Sequence, residues 1–550
     1  MVQDIYDKIL TLAKRRGFIY SSFEIYGGIA GFYDYGPLGA TLKNNIEQEW
    51  RKKYLLQDNC IEISTPTITP FEVLKASGHV DEFTDITVDC PKCKKSYKAE
   101  ELLPEDAILE EVIKKNTLQC PDCKTPVENP HDVNLMFSTT IGIGKERAAF
   151  LRPETAQGIF TNFHLLYRYN REKLPCGVIQ IGRGYRNEIS PRQGTLRQRE
   201  FNMAEAEIFI DPKEKTHPDF SRIQKYKLIL FDNTNEMNET AEDAVKKGIV
   251  NNQALAYYMC LTQELLLGIG IDPKKFRFRK HADDELAHYA QECWDAELYS
   301  ERFGWIECVG IADRSAYDLN AHIQATTTDM YASRPFETPK IVEQRKIIPK
   351  MDVLGPLFKG EAGAVKQVLE ALDPPKQPPV IIKLKGKDVE IPKEAYDIEM
   401  VKEKQTGEKF VPHVIEPSYG IDRILYFILE HCFEEVTKKD EHYRRLRFPA
   451  HIAPITAGVF PLLSDKKLIQ LAQKINQELR THQIRTYYDE GGTIGRRYAR
   501  MDEVGTPFCI TIDHDSLTDN KVTIRNRDTT KQERVPIKEI TQTIQKNLLS

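Results

Sequence analysis

The chain has 550 residues, more than one hydrophobic core usually fills, so we expect two or three domains. Its formal net charge of -5 excludes a protein that coats nucleic acid by bulk positive charge, and any polyanion must bind at local basic patches. No apolar run of about 18 residues occurs, and MVQDIYDKIL lacks the features of a signal peptide, which predicts a soluble, cytoplasmic protein without a membrane span.

The first strong periodic signal is an amphipathic helix that follows the turn GPLG. Its apolar residues recur every four positions: Leu38, Leu42, Ile46, Trp50 and Tyr54. The next run, NCIEISTPTITP, predicts a strand that ends at Pro66, because proline cannot donate to a sheet.

Four of the eleven cysteines are grouped, and the other seven lie apart in apolar surroundings, as reduced core cysteines do. The group forms the knuckles CPKC (Cys90, Cys93) and CPDC (Cys120, Cys123) within a Lys- and Glu-rich segment, 89–124. This spacing is typical of a zinc ribbon, in which the metal replaces a core that the segment cannot build. Four thiolates leave no open coordination position, so we predict structural Zn²⁺, with a metal-free ribbon and a redox role as alternatives.

A hairpin with an unusual set of side chains is predicted from VIQIGRGYRNE and EFNMAEAEIFI, joined by the loop ISPRQGTLRQR. Alternation assigns two groups to one face: Gln180, Arg186 and Glu188 on the first strand, and Phe201, Met203, Glu205 and Glu207 on the second. A guanidinium, an aromatic ring and carboxylates together would suit a nucleotide triphosphate and an amine. The alternative interpretation is a solvated, salt-bridged hairpin.

Two long segments then precede a second constellation. Residues 211–295 are interpreted as a mostly helical insertion, and 333–409, rich in Lys, Pro and Gly, as a further insertion. The run VIEPSYGIDRILYFILE follows, with Glu416 and Ser418 on a strand and Arg423 in the first turn of a helix that begins at Gly420. A strand that leads directly into such a helix can hold a terminal phosphate.

The last hundred residues alternate strand-like and helical runs, which predicts a separate α/β domain over 451–550. One of its helices carries a single apolar stripe, with Ser464 as the predicted N-cap. The segment GGTIGRRYARMDEVGTPFCITID lies in this domain, and its basic residues could bind a ligand. The alternative interpretation is an α/β domain that binds no ligand, in which GRRYAR is only the basic start of a helix.

The three constellations, in this order, resemble motifs 1, 2 and 3 of the class II aminoacyl-tRNA synthetases. The runs GFYDYGPLGATLKNNI, LRPETAQGIF, WIECVGIADRSAYDL and EPSYGIDR resemble the glycyl-tRNA synthetases of the homodimeric archaeal and eukaryotic type. The resemblance implies an α+β fold: an antiparallel-sheet catalytic core within 1–445, interrupted by the three insertions, and a subclass IIa anticodon-binding domain over 451–550.

The resemblance also implies roles for individual residues. Arg186 would hold the α-phosphate of ATP and the site of attack, Phe201 would stack under adenine, and Arg423 would hold the γ-phosphate. Glu188 would lie near the adenine edge, and Arg314 would assist with the nucleotide. Glu307 is a candidate Mg²⁺ ligand, and a contact with the glycine amine or a structural ion pair is the alternative role for it. The carboxylates and hydroxyl that would line the glycine pocket are Glu154, Glu205, Glu416 and Ser418. Glu207 shares the face of Glu205, and the sequence leaves open which of the two is nearer to the substrate.

The activity implied is that of a glycine–tRNA ligase, which forms glycyl-adenylate from glycine and ATP, releases pyrophosphate, and transfers glycine to the 3′ end of tRNA-Gly. The predicted partners are tRNA-Gly and a second copy of the chain, which would form a homodimer through the motif 1 unit, Leu38 to Pro66. The ribbon and the segment 333–409 are candidates for contact with the acceptor stem. Two rival interpretations are a non-catalytic accessory subunit and a threonine, proline or histidine synthetase of the same subclass.

Overall fold

The computed structural model describes residues 4–103, 118–144, 146–191, 193–282, 285–286, 290–372, 380–384, 387–438 and 441–549. Two compact units divide the chain. The first comprises Met1–Met330 and Pro412–Ser550, and the second is Tyr331–Val411. Among the described residues, no helix is both long enough and apolar enough to cross a membrane.

The described part of the chain forms strands and helices in the following order. The strands are β1 (Ile19–Ser21), β2 (Tyr33–Tyr35), β3 (Ile61–Glu62), β4 (Ile68–Pro70), β5 (Thr84–Asp89), β6 (Ser96–Lys98), β7 (Glu128–Asn134), β8 (Ser138–Ile141), β9 (Arg147–Leu151), β10 (Cys176–Tyr185), β11 (Glu200–Ile210), β12 (Lys227–Phe231), β13 (Glu236–Thr240), β14 (Phe276–Lys280), β15 (Glu292–Ser300), β16 (Gly304–Ser315), β17 (Ala332–Pro349), β18 (Val380–Leu384), β19 (Lys387–Ile391), β20 (Tyr396–Phe410), β21 (His413–Gly420), β22 (Phe433–Lys438), β23 (Glu441–Leu446), β24 (Ala457–Pro461), β25 (Thr486–Tyr488), β26 (Phe508–Ile512), β27 (Lys521–Asn526) and β28 (Gln532–Pro536). The α-helices are α1 (Ile5–Arg16), α2 (Pro37–Arg51), α3 (Phe71–Ala76), α4 (His79–Glu82), α5 (Ala156–Phe160), α6 (Phe163–Tyr169), α7 (Phe220–Ile223), α8 (Ala241–Lys246), α9 (Gln253–Gly268), α10 (Tyr317–Thr326), α11 (Met351–Phe358), α12 (Ala362–Ala371), α13 (Ile421–His431), α14 (Lys466–Thr481), α15 (Ile494–Glu503), α16 (Ser516–Asp519) and α17 (Ile540–Leu549).

A nine-stranded sheet organises the first unit, in the order β13-β12-β14-β15-β16-β21-β11-β10-β3. Its neighbouring strands run antiparallel, except for the parallel pairs β12/β14 and β10/β3. Ala204, Ala206 and Ile208 of β11 are buried in one core with residues of α2, α9 and α13. Because side chains alternate along a strand, the carboxylates of β11 are directed to the opposite face of the sheet.

The predicted motif 1 helix is present as α2, followed by a π-helical turn over Lys52–Gln57. The apolar stripe is buried from Leu42 onward, Leu38 is partly buried, and the ring centres of Trp50 and Tyr54 lie 4.7 Å apart. The strand after it differs from the prediction, because β3 has only two residues before the chain leaves the large sheet. The chain passes Pro66, which has no N–H for a ladder bond, and pairs again as β4 with β9.

The segment 211–295 also differs from the mostly helical prediction. Its long helix is present as α9, but β12, β13, β14 and the start of β15 join the large sheet. FRFRK alternates with period two and KLILF is a short apolar run, and both are strand signals that the strongly apolar α9 outweighs over the whole segment.

The bounds of the second unit, Tyr331–Val411, nearly match those of the predicted insertion, 333–409. This unit pairs β17 with β20 and β18 with β19, and α11 and α12 contribute to its own small hydrophobic core. In the ribbon segment 89–124, residues 104–117 lie outside the described part of the chain.

The C-terminal region forms a five-stranded sheet in the order β25-β24-β26-β27-β28, with a separate core that includes residues of α14 and α17. The predicted stripe of α14 faces this core through Leu468, Ile475 and Leu479. The helix is capped by Asp465 instead of Ser464, because the Asp465 carboxylate accepts from the N–H groups of Lys467 and Leu468.

Candidate active site

The predicted hairpin consists of β10 and β11, with Gln180 opposite Glu205 and Gly184 opposite Phe201. Arg186 follows β10, and its N–H donates to the Arg199 carbonyl at 3.0 Å. The Arg186 guanidinium lies 5.4 Å from the Phe201 ring centre and 5.3 Å from that of Phe83. Its Nε is buried and finds no hydrogen-bond acceptor among the described residues, so this group is available to bind an anion.

A cavity of about 150 Å³ lies against this hairpin. Five of the six residues assigned to ATP from the sequence line it: Arg186, Glu188, Phe201, Glu307 and Arg423. The structure therefore brings together, in one cavity, side chains from the segment after β10 and from β11, β16 and α13, which are far apart in the sequence. We call it the arginine cavity.

Arg423 lies in the first turn of α13 and is fixed from two sides. Its Nε donates to the Leu196 carbonyl at 3.1 Å, and its Nη1 donates to the Glu307 carbonyl at 2.6 Å. Nη1 is also 3.4 Å from the Glu307 carboxylate. These contacts hold the guanidinium between the hairpin loop and β16.

Two further residues of the arginine cavity were not predicted. Arg197 lines it and forms an ion pair with Glu101. Asp422 is buried beside Arg423 and accepts from the N–H of Asn202 at 2.6 Å, the Asn202 side chain at 2.9 Å, and the Tyr35 hydroxyl. Asp422 thus joins α13 to β11 and β2. Its place in the run GIDR, next to Arg423, is the only sequence signal that could have indicated it.

A second cavity, of about 200 Å³, holds the residues assigned to glycine: Glu154, Glu205, Glu416 and Ser418. We call it the carboxylate cavity. It shares Arg186, Met203, Glu307 and Ser418 with the arginine cavity, so the two cavities meet along a common wall. A group bound in one lies next to a group bound in the other.

Small residues of β16 form the floor of the carboxylate cavity. Gly310 pairs with Ser418, and Ala312 pairs with Glu416, on the neighbouring strand β21. A Cβ added at Gly310 would meet only the Glu307 carboxylate, at 3.8 Å, so the space above it is open. The strand register therefore leaves room between the acidic side chains of β11 and β21 and those of β15.

The charge of the carboxylate cavity is organised around Arg314, whose side chain is 2% exposed. Its Nη1 donates to Glu416 at 2.9 Å, and its Nε and Nη2 donate to Asp318 at 2.8 and 3.0 Å. Glu205 accepts from the Thr155 N–H at 2.7 Å, the Thr155 hydroxyl, and the Ser418 hydroxyl at 2.8 Å.

The fourth carboxylate of this cluster, Glu154, accepts from Gln157 at 3.0 Å and lies 3.5 Å from His79 Nε2. Burial opposes its ionisation, but the charges of His79 and Arg314 and the hydrogen bonds from His79 and Gln157 lower its pKa below the usual range. Burial raises the pKa of Glu416 to about 7, although Arg314 acts in the opposite direction. Burial, and then the charge of Glu154, also raise the pKa of Glu205. A bound cation would favour the ionised form of all three carboxyls.

Glu205 and Glu207 differ in position. Both are buried, but Glu205 lines the carboxylate cavity, whereas Glu207 is not among its lining residues. Neither carboxyl oxygen of Glu207 has a hydrogen-bond partner among the described residues, and burial, followed by the charge of Glu416, raises its pKa well above the usual value.

Arg314, which was assigned to the nucleotide, lies in the carboxylate cavity and not in the arginine cavity. Since Glu416 and Asp318 engage three of its nitrogens, a direct contact with ATP stays a prediction.

The four grouped cysteines also come together. Cys90 Sγ lies 3.4 Å from Cys123 Sγ, Cys93 Sγ lies 3.6 Å from Cys120 Sγ, and all four sulfurs lie within 4.8 Å of one another. A tetrahedral zinc ion with bonds of about 2.3 Å needs sulfurs about 3.8 Å apart, so this donor set fits Zn²⁺.

The two knuckles have the same backbone geometry, which explains why their cysteines converge. The N–H of Cys90 donates to the Lys95 carbonyl at 2.9 Å, and that of Cys120 donates to the Thr125 carbonyl at 2.9 Å.

Comparisons with known proteins agree with this geometry. Residues 139–432 match the family model "tRNA synthetase class II core domain (G, H, P, S and T)", and residues 450–547 match "Anticodon binding domain". The chain is 47% identical to "Glycine--tRNA ligase" of Methanococcus maripaludis strain C5, with 98% of each chain covered. It is 45% identical to "Glycine--tRNA ligase" of Methanocaldococcus jannaschii, with 100% of each covered, and 47% identical to that of Archaeoglobus fulgidus, with 97% of this chain and 95% of the relative covered. The chain therefore belongs to the glycine–tRNA ligases, a family of class II aminoacyl-tRNA synthetases with a C-terminal anticodon-binding domain.

Proposed function

We propose that the arginine cavity binds ATP, that the carboxylate cavity binds glycine, and that glycyl-adenylate forms where the two meet. The observation that carries this proposal is their common wall, which contains Arg186, Glu307 and Ser418. An α-phosphate on the arginine side and a glycine carboxylate on the acidic side would lie next to each other there. Placement of this kind supplies much of the catalysis in phosphoryl and nucleotidyl transfer.

On the nucleotide side, Arg186 holds the α-phosphate and the attacking carboxylate, because its guanidinium lies at the common wall with an unpartnered Nε. Arg423 holds the γ-phosphate, Phe201 stacks under adenine, and Glu188 lies near the adenine edge. Arginine suits both phosphate sites because its planar donors can bind two oxygens at once.

Glu307 is the residue that would bind Mg²⁺. Its side chain is half exposed and lines both cavities, and carboxylate oxygens are the ligands that Mg²⁺ prefers. When bound, the ion would neutralise charge on the phosphates. Arg423, 3.4 Å from this carboxylate, would act on the same region of negative charge.

On the amino-acid side, Glu154, Glu205 and Glu416 surround the ammonium of glycine. Glycine has no side chain to bind, so selection depends on excluding larger amino acids and on holding the charge. A side chain added at Cα would have to desolvate these carboxylates, which costs far more than a methyl group gains in an apolar pocket. Arg314 positions Glu416 and fixes its orientation, and its assistance with the nucleotide stays part of the proposal.

The reaction then proceeds in two steps. A glycine carboxylate oxygen attacks the α-phosphorus of ATP, the bond to the β-phosphate oxygen breaks, and pyrophosphate leaves. In the second step, a ribose hydroxyl at the 3′ end of tRNA-Gly attacks the glycyl carbonyl and AMP leaves. Arg186 stabilises charge on the phosphate in both steps.

The C-terminal domain is proposed to bind the anticodon of the tRNA, and the protein is proposed to act in the cytoplasm. In the run GRRYAR, Arg496 is exposed, whereas Arg497 is buried and donates to the Pro461 carbonyl at 2.7 Å. Arg500 forms an ion pair with Asp489. Arg496 is therefore the arginine of this run that is best placed to contact RNA. The ribbon and the unit Tyr331–Val411 are proposed to contact the acceptor stem.

We expect Glu416→Gln to reduce kcat/KM for glycine about 10- to 100-fold, because the ammonium loses a buried, charged hydrogen-bond acceptor. Glu416 is protonated below its pKa of about 7 and cannot attract the ammonium there, so the wild-type kcat/KM should rise as pH increases through this value. The variant should lack this rise, and its KM for ATP should stay within about twofold. ATP–pyrophosphate exchange measured across pH tests all three expectations.

Glu430→Gln is the matched control, because Glu430 is a buried carboxyl of α13 whose partners are Ser300, the Glu301 N–H and Tyr426. This variant should keep the wild-type pH profile. If Glu416→Gln retains both the wild-type kcat/KM and its pH dependence, Glu416 does not hold the ammonium.

The four ribbon cysteines should bind one zinc ion per chain in protein purified without a chelator. Replacing Cys90 and Cys120 by serine should remove this ion and impair tRNA charging more than glycine activation, since neither residue lines the two cavities. Cys60→Ser, which alters a buried cysteine outside the group, is the control. Metal analysis that finds no zinc in intact wild-type protein would refute the assignment.

The motif 1 region is proposed to form a homodimer. The chain before α2 presents Ile25 and Tyr26 with 90% and 85% exposure, an arrangement that association would relieve. Light scattering at micromolar concentration should give the mass of two chains, and Ile25→Asp with Tyr26→Asp should shift it toward one. A wild-type protein that is monomeric at this concentration would contradict the proposal.

A further inference from the structure

The carboxylate cavity contains a second group of metal-binding side chains, apart from the carboxylates assigned to glycine. Cys293 and Asp295 are two positions apart on β15 and lie on one face of it. His281 follows β14, and its N–H donates to the Cys293 carbonyl at 3.0 Å. The ligand atoms of these three side chains lie within 4.8 Å of one another, and all three residues line the cavity.

The contact between His281 and Asp295 is an ion pair, with His281 Nε2 2.8 Å from the Asp295 carboxylate. The other ring nitrogen, Nδ1, is buried and has no hydrogen-bond partner among the described residues. This buried nitrogen, in a side chain beside the Cys293 thiol and the Asp295 carboxylate, is the second observation, beyond the composition of the group, that indicates a ligand.

We propose that His281, Cys293 and Asp295 bind a divalent metal ion of the zinc class. Imidazole nitrogen, thiolate sulfur and carboxylate oxygen are the donors that Zn²⁺ accepts, and a thiolate disfavours Mg²⁺ and Ca²⁺. Three protein ligands leave one tetrahedral position open, and it faces the cavity. Binding transfers the Cys293 thiol proton to solvent and forms the metal–sulfur bond.

The surroundings of the triad are compatible with a bound cation. Arg279 donates to the Asp295 carboxylate at 3.2 Å and also contacts Glu285 and Glu297. It therefore acts as an outer partner that orients Asp295, the role that hydrogen bonds to metal-ligating carboxylates commonly have. Glu285 and Glu307 also line the cavity, so the triad lies in a region of excess negative charge.

The site differs from the ribbon in occupancy and in effect. Four thiolates fill all four coordination positions at the ribbon site, whereas the triad offers three different ligands and leaves one position open. The triad therefore binds Zn²⁺ more weakly than the ribbon and is filled only when metal is added. Its consequence for activity rests on the proposed glycine site. A dication bound at the triad would repel the glycine ammonium in the same cavity and weaken its attraction to Glu154, Glu205 and Glu416, so added Zn²⁺ raises the KM for glycine.

The first test is stoichiometric and needs no activity. Zn²⁺ is added to the full-length protein as purified, in competition with a chromophoric chelator. We expect a second equivalent to bind to the wild type and to be lost in Cys293→Ser and in Asp295→Asn. Cys509→Ser, which changes a buried cysteine of the C-terminal domain, should retain it. One equivalent of Co²⁺, added in the same way, should give a thiolate-to-cobalt absorption band that is absent in Cys293→Ser.

A wild-type protein that binds no second equivalent overturns the proposal, whether or not the variants fold. So does a Cys293→Ser variant that retains the second equivalent and the cobalt band. ATP–pyrophosphate exchange with glycine in the absence of added zinc separates this result from the proposed function. If exchange occurs but the zinc titration finds no second equivalent, only the metal site is refuted. If the titration finds a second equivalent but exchange does not occur, only the proposed use of the cavities is refuted.

Discussion

The rest of the site depends on one electrostatic constraint. The buried guanidinium of Arg314 is surrounded by more carboxylates than it can neutralise. Arg314 pairs with Asp318 and Glu416, and Glu154 and Glu205 lie in the same cavity wall. Removing several charges from water is costly unless each one is paired. The excess negative charge therefore favours the binding of a cation in the cavity. In the proposed function, this cation is the ammonium group of glycine.

The large sheet makes this arrangement possible. Its central strands β16, β21 and β11 bring Arg314, Glu416 and Glu205 into register, while helices α2, α9 and α13 bury the other face. Small residues at positions 310 and 312 keep the space above β16 open. β10, the neighbour of β11, ends just before Arg186, and β21 leads into α13, which carries Arg423, so one framework holds an anion-binding cavity and a cation-binding cavity side by side. Asp422 links these parts, since it contacts both β11 and the segment that precedes α2.

Much of this could be predicted from the sequence. Period-two alternation places Glu205 and Phe201 on the same face of β11, and the glycine before Arg423 marks the start of α13. C-x-x-C spacing was sufficient to group the four ribbon cysteines, because each knuckle is a local structure. The order of the three motifs indicated the family before any contact was known.

Other features depend on contacts that no local pattern encodes. Arg314 was assigned to the nucleotide, but its neighbours are determined by the pairing of β16 with β21 and by α10, which carries Asp318. His281, Cys293 and Asp295 meet only because β14 pairs with β15. The strands within 211–295 were missed because their partners lie outside each short run. Alternation makes Glu207 equivalent to Glu205, and both are buried, but only Glu205 lines the carboxylate cavity and accepts hydrogen bonds from Thr155 and Ser418.

The central claim is that the carboxylate cavity recognises the ammonium group, and an analogue of glycine that lacks this group tests it most directly. Glycolate has the same carboxylate and nearly the same size, but it carries a hydroxyl in place of the ammonium. In ATP–pyrophosphate exchange, the account predicts that kcat/KM for glycolate is at least about 1,000-fold below that for glycine, because several buried carboxylates would remain uncompensated. Exchange with glycolate at a kcat/KM within tenfold of that for glycine would contradict the account.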